Sequence, residues 1–163
     1  MFLLHLCQWL YATPLGTAIR ESPFAYPMIE SIHVLGITLL VGTVSIVDLR
    51  LLGVVMKREP VSDLVKQVLP VTWCGFVIMI VSGLLLFWAK AEQCYANPIF
   101  RFKLLLLLLA GLNPLIFHST VYRSVDNWND AQAIPRQAKL AGAFSLTLWS
   151  AIIIAGRAIA YFK

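Results

Sequence analysis

Residues 34–47 read Val-Leu-Gly-Ile-Thr-Leu-Leu-Val-Gly-Thr-Val-Ser-Ile-Val, without one charged side chain. The wider segment 27–56 is long enough for a helix that crosses a bilayer, which needs about 20 mostly apolar residues. A charged tripeptide and then Pro60 follow directly, and proline excludes further helix. The sequence therefore predicts a membrane-spanning helix over 27–56.

Three further apolar segments, about 68–89, 100–122 and 138–161, have the same character. Hydrophobic residues make up 60% of the chain and charged residues 13%, against about 45–50% and about 25% in soluble domains. The loops between the segments are short, so neighbouring spans should be antiparallel. We predict an all-α integral membrane protein, a four-helix antiparallel bundle formed by residues 1–163 as a single transmembrane domain in contact with the lipid bilayer.

The N-terminal segment 2–19 is apolar but is interrupted by His5, Gln8 and Pro14, and it holds Trp9 and Tyr11. Amphipathic aromatic residues and broken apolarity are typical of a helix that lies in the membrane interface. We therefore predict an N-terminal interfacial amphipathic helix over about 2–19. The alternative is a fifth membrane span.

The loops define two membrane faces. Side A holds the N-terminus, the 90–101 loop and the C-terminus, and side B holds the 57–67 and 123–138 loops. Side A carries Arg20, Lys90, Arg101, Lys103, Arg157 and Lys163, and side B carries Arg50, Lys57, Arg58, Lys66, Arg123, Arg136 and Lys139. The small excess on side B predicts that side B is cytoplasmic and that the N-terminus is periplasmic. No basic run of five or more residues and no nucleic-acid motif occurs, so we expect no nucleic-acid partner.

Ionisable residues within membrane spans are costly, usually face the interior of a bundle and often mark function. Helical depth divides these residues into two groups. The group towards side A contains Glu30, His33 and Arg157, with His5 as a further candidate, and the group towards side B contains Asp48, Arg50, His118 and Tyr122. His118 lies fifteen residues beyond Lys103, about 22 Å deeper along its helix, so His33 and His118 should belong to separate sites.

A buried imidazole in a membrane bundle can ligate haem iron, ligate copper or relay protons. Glu30 and Arg157 lie at one level and could form an ion pair. A polar seam that only ties helices together is the alternative interpretation of both groups. Cys7 and Cys94 fall on the same side, and a disulfide between them is possible if that side is oxidising.

Several motifs carry a resemblance to known proteins. The stretch Glu30-Ser-Ile-His-Val-Leu-Gly, continuing to Asp48-Leu-Arg-Leu-Leu-Gly53, resembles a family of small uncharacterised bacterial membrane proteins with four helices, as do segments 9–15, 117–122 and 156–161. This resemblance implies the bacterial inner membrane. More distantly, His33, the glycine nine residues later and Leu49-Arg-Leu resemble the first helix of haem-containing membrane protoporphyrinogen oxidases and of copper-resistance D-type membrane domains. The former implies a haem-ligand role for His33 alone.

Three functions remain as hypotheses. The first is a b-type haem protein that transfers electrons, with quinone or membrane redox subunits as partners, His33 as an axial ligand, Glu30 beside it, Arg157 as the propionate partner, and His118 as a second ligand site or proton-handling group. The second is a copper-handling protein that uses His5, Cys7, Met28 and His33, with His118 as a further metal candidate. The third is a non-catalytic subunit of an oligomer or larger membrane complex. No hydrolase or phosphate-binding motif occurs.

Overall fold

The structure is a computed structural model that describes residues 2–127, 134–159 and 161. These residues form helices without strands. The elements, in chain order, are α1 (Phe2–Ala12), α2 (Pro14–Glu21), α3 (Ala25–Leu51), α4 (Val61–Ala89), α5 (Ala91–Ala96), α6 (Pro98–Ser119), a 3-10 helix (Tyr122–Asn127) and α7 (Arg136–Ala158).

Helices α3, α4, α6 and α7 are each long and apolar enough to cross a membrane. The prediction of an all-α integral membrane protein with four spans is therefore confirmed. The observed bounds of α3, α6 and α7 lie within about five residues of the predicted ones. The second span differs most, because α4 begins at Val61 and not near residue 68.

Helix α4 begins seven residues before the predicted apolar span because the polar residues that precede the span also form helix. Pro60 occupies the N-cap with an extended backbone, and Asp63 lies in the first turn, where a negative charge is favoured by the helix dipole. The apolarity of the sequence predicts the part of the helix that lipid surrounds. The helix itself extends beyond that part on side B.

The N-terminal segment is two helices, which corrects the prediction of one interfacial helix over 2–19. The chain turns at Thr13, whose Oγ1 accepts from the backbone N–H of Gly16 at 3.3 Å and donates to the carbonyl oxygen of Leu10 at 2.6 Å. Pro14 then opens α2, a position that suits proline. The alternative of a fifth span is wrong, because α1 has 11 residues and α2 has 8, too few to cross.

Both short helices pack against the side A end of the spans, α1 against α5 and α2 against α4. Trp88 Nε1 donates to Thr13 Oγ1 at 2.8 Å. Arg20 donates to the last carbonyl of α4, that of Ala89, at 3.1 Å, and its guanidinium lies 3.8 Å from the centre of the Tyr11 ring. These contacts attach α1 and α2 to the end of α4.

This attachment gives a first testable prediction. Arg20→Ala removes a charge-assisted hydrogen bond, so backbone amides in residues 2–21 should exchange with deuterium on the order of tenfold faster, while the spans keep their protection. Hydrogen exchange with mass spectrometry in detergent measures this. Glu21→Gln, at an exposed neighbouring position, should leave exchange unchanged. Equal exchange in Arg20→Ala and wild type would contradict the assignment.

The spans pack as two antiparallel pairs. Helix α3 packs along α4, α6 packs along α7, and contacts between α3 and α7 join the pairs. Helices α4 and α6 are not packed along their lengths in the described residues, and they meet at side A, where the Phe87 and Phe100 rings stack with centroids 5.6 Å apart. The order is α4–α3–α7–α6, and closure into a four-helix bundle stays a prediction.

The backbones of α3 and α4 approach each other closely at two glycines. A Cβ atom on Gly36 would lie 2.9 Å from the backbone N of Met79, and one on Gly75 would lie 2.7 Å from that of Leu40. Thr72 Oγ1 donates to Thr43 Oγ1 at 2.8 Å further along the same interface, towards side B. Small residues allow such close backbone approach in membranes, where van der Waals packing drives helix association.

Candidate functional site

His33 lies in the α3–α4 interface, near the side A end of both helices. The side chain is half-buried, and its Nδ1 lies 2.9 Å from Ser82 Oγ on α4. Gly36 lies one turn of α3 beyond His33, and Gly75 contacts Leu40, which lies two turns beyond it. Because these contacts set the distance between the two helices, they also set the position of the imidazole relative to α4. The helix packing therefore positions this histidine.

The hydrogen bonds of Ser82 determine which nitrogen of His33 carries a proton. A hydroxyl has one proton, and that of Ser82 is donated to the carbonyl oxygen of Ile78, one turn earlier in α4. With that proton on the Ile78 side, Ser82 Oγ accepts from His33 Nδ1–H in the 2.9 Å contact. We infer that Nε2 carries the lone pair in the neutral ring and is the nitrogen available to bind a metal.

Gly83 provides the space for the ring. A Cβ atom at this position would lie 3.1 Å from His33 Cε1 and 3.6 Å from Nδ1. Any larger residue would press on the imidazole and shift it from Ser82. Ser82 and Gly83 thus orient His33 together, and both were missing from the sequence prediction. Their signal was a Ser-Gly pair inside an otherwise apolar segment of α4.

Two charged residues lie within electrostatic range of the imidazole, Lys103 on α6 and Glu30 on α3. Lys103 reaches inward from the start of its helix, and its Nζ would lie 3.4 Å from a Cβ atom on Gly156 of α7. Lys103 forms no ion pair with a carboxylate in the described part of the chain. In its charged form, Lys103 would favour an anionic ligand near His33.

Arg157 does not occupy the position that helical depth suggested. Its side chain is exposed, and its guanidinium lies 5.7 Å from the centre of the Tyr161 ring. Glu30 is also exposed, and the described residues show no ion pair between the two. Lys103 is thus a closer cationic neighbour of His33.

His118 lies at the opposite end of α6, exposed, with its ring stacked on that of Tyr122 at 5.0 Å between centroids. Lys103, which is near His33, is fifteen residues away along the same helix, or about 22 Å. The two histidines therefore lie in separate regions. Asp48 and Arg50, the other polar residues towards side B, are buried and belong to the α3–α7 and α3–loop contacts.

The residues named for copper do not form a compact set. His5 is exposed on α1 and Met28 is 62% exposed on α3. Within residues 2–127, 134–159 and 161, no group of three or more His, Cys, Asp or Glu side chains could hold a metal ion. Cys7 and Cys94 are near enough to interact but are free thiols, and burial raises the pKa of the Cys94 thiol, which disfavours the thiolate that binds metal.

Comparison with known proteins gives a family and no activity. No curated protein and no solved structure matches the chain. One family model, described as a family of unknown function (DUF6644), matches residues 16–162 and thus all four spans and the site around His33. This integral membrane protein belongs to that family.

Proposed function

We propose that the protein is a b-type haem protein of the bacterial inner membrane that takes part in electron transfer, with His33 as an axial ligand. The observation that carries the proposal is the 2.9 Å contact between His33 Nδ1 and Ser82 Oγ, because a proton on Nδ1 would leave Nε2 free to bind a metal. Metal-bound histidines almost always donate their other ring N–H in this way, because the bond fixes the tautomer and the orientation of the ring.

The surrounding residues fit a haem in three respects. His33 supplies one protein ligand, and a five-coordinate haem needs no second. Lys103 supplies a cation without a carboxylate partner among the described residues, which suits a propionate. Helices α4 and α6 are not packed on each other beyond their side A ends, so a flat apolar group could enter between them from the lipid.

Haem iron would supply one-electron redox chemistry. The chain would contribute the ligand orientation through Ser82 and Gly83 and the charge compensation through Lys103. An opening towards lipid favours a lipid-soluble electron partner, and we propose quinone or a membrane redox subunit. In this proposal side A is periplasmic, and His118, exposed near side B, would have no role in ligating the same iron.

The geometry favours haem over copper because haem requires one well-oriented imidazole, whereas Cu(I) requires several convergent soft ligands. His5 and Met28 are exposed, and no group of three or more His, Cys, Asp or Glu side chains that could hold a metal ion occurs among the described residues.

The test is a reduced-minus-oxidised absorption spectrum of protein purified after expression with ample haem supply, together with iron and copper analysis. We expect a Soret band and about one haem per chain, lost in His33→Ala and retained in His118→Ala. Ser82→Ala should weaken haem binding by about 10-fold or more, because it removes the group that orients the ligand. Size-exclusion chromatography of each variant checks that it is folded.

Three outcomes would overturn the proposal. They are no haem in the wild type despite ample supply, stoichiometric copper in place of iron, or equal haem content in wild type and His33→Ala. If His33→Ala does not fold, Gly83→Ala decides, because its methyl group presses the imidazole away from Ser82 while the histidine itself is retained. Unchanged spectra in both Gly83→Ala and Ser82→Ala would then exclude His33 as the ligand.

A further inference from the structure

Asp48 is a buried carboxyl group within a membrane span, three residues before α3 ends at side B. Its side chain is 6% exposed. The backbone of α7 closes over it, because a Cβ atom on Gly142 would lie 2.9 Å from the Asp48 carbonyl oxygen. Only glycine allows α7 to approach the α3 main chain this closely, and the buried Asp48 side chain lies against Ser145 of α7.

The carboxyl group has one polar neighbour. The Ser145 hydroxyl, one turn along α7 from Gly142, lies within hydrogen-bonding reach, and the second carboxyl oxygen, Oδ2, has no hydrogen-bond partner in the described structure. A carboxylate accepts several hydrogen bonds when it is buried in its charged form. One donor is far fewer than a buried carboxylate needs.

No cation compensates Asp48. The described residues place no Lys, Arg or His nitrogen within 4.0 Å of it, and residues 128–133, outside the described ranges, contain none of these three residue types. The charged and titratable groups on the surrounding elements at side B are Arg50 on α3, Lys57, Arg58 and Glu59 in the loop, Asp63 and Lys66 on α4, His118 on α6, Tyr122, Arg123 and Asp126 on the 3-10 helix, and Arg136 and Lys139 on α7.

None of the cations among these groups forms an ion pair with Asp48 in the described ranges. Arg50 Nε donates to the Glu59 carbonyl oxygen at 2.8 Å, Lys66 pairs with Asp63, and Arg136 and Lys139 are exposed. An ionised carboxylate in a low-dielectric interior without a cation is strongly disfavoured, whereas a neutral carboxylic acid is tolerated. The packed structure thus favours the protonated acid.

We propose that Asp48 is a proton-binding site, in which the carboxyl group holds a proton while α7 is packed on α3 and exchanges it with water on side B. The step is a simple ionisation, in which the Oδ–H bond breaks and water accepts the proton. The remaining distance along α3 to its side B end is about 5 Å, so only the last turn of the helix separates the group from the loop region. The proposal is independent of haem binding at His33.

Infrared spectroscopy of the purified wild type tests it, with aspartate labelled by carbon-13 at the side-chain carboxyl. We expect a carbonyl stretch of a protonated aspartic acid at neutral pH, which shifts with the label, disappears reversibly in alkaline buffer and is missing in Asp48→Asn. Asparagine has the shape of the protonated acid and should fold. Asp63→Asn, which removes an exposed carboxylate, should keep the band.

Four results would overturn the proposal. The wild type could show only carboxylate bands across the pH range in which it stays folded, the acid band could persist in Asp48→Asn, or it could disappear in Asp63→Asn. The band could also be lost at neutral pH on addition of NaCl but not of choline chloride, and the site would then bind a sodium ion. If Asp48→Asn fails to fold, the labelled band in wild type and in Asp63→Asn decides between an acid and a carboxylate at this site.

Discussion

Replacement of Gly75 by alanine should lower the free energy of unfolding by about 3 kcal/mol, the upper part of the range for overpacked sites. The added Cβ atom would lie 2.7 Å from the backbone N of Leu40 and 2.9 Å from the Cβ atom of Leu39. Neither atom belongs to the flexible end of a side chain, so α3 and α4 must separate to relieve the overlap. Separation loses van der Waals contact along the whole interface, and this contact drives helix association in lipid.

Gly42 provides the matched control, because it lies on α3 and a Cβ atom there would meet no atom within 4 Å. Gly42→Ala should leave stability unchanged or raise it by up to about 1 kcal/mol through helix propensity. Unfolding of both variants in mixed micelles of mild detergent and sodium dodecyl sulfate measures the difference. Equal stability of Gly75→Ala and Gly42→Ala would show that α3 and α4 do not approach as described.

Replacement of Arg50 by alanine should cost about 3 kcal/mol of stability. Arg50 is 1% exposed, and its Nε donates to the Glu59 carbonyl oxygen at 2.8 Å, which holds the loop between α3 and α4 against the end of α3. Truncation leaves a cavity and a carbonyl group without its donor, and each effect is destabilising. Arg50→Lys should recover only part of the loss, because lysine keeps the charge but lacks the Nε–H group.

Arg58→Ala is the control for Arg50, since Arg58 is an exposed arginine in the adjoining loop. Its removal should change stability by no more than about 0.5 kcal/mol. The same micelle titration measures all three variants. If Arg50→Ala and Arg58→Ala proved equally stable, or if Arg50→Lys matched the wild type, the assigned role of the Nε–H bond would be wrong.

The four spans were predictable from apolar segments because lipid is the solvent for most of their surface. The exposed side chains Leu104, Leu105 and Leu108 on α6 illustrate this, since they need lipid and no protein partner. The polar start of α4 and the break at Thr13 were not predictable from apolarity. The start of α4 lies beyond the apolar part of the helix, where hydrophobicity gives no signal. The break at Thr13 depends on the hydrogen bonds of its side chain with Gly16 and Trp88.

The candidate site was predictable in part. His33 was identified because an ionisable residue within a span is costly, and its separation from His118 followed from helical rise. The cation beside it was assigned to Arg157, at a suitable depth but facing the Tyr161 ring. Ser82 and Gly83 were missed because they lie on another helix, and their role depends on the interface that Gly36 and Gly75 create.

The sequence by itself determined that this chain lies in a membrane, where its four long spans lie and how deep the polar residues of those spans lie, whereas the break at Thr13 decided against a fifth span. The polarity of the surroundings changes along the membrane normal, so the hydrophobicity of a segment determines its depth in the membrane. The rotation of each helix about its axis and the choice of its neighbour were decided only by the tertiary structure. Lipid and protein interiors are equally apolar, so those choices depend on close packing of small residues, which places His33 against Ser82 and Asp48 against Ser145.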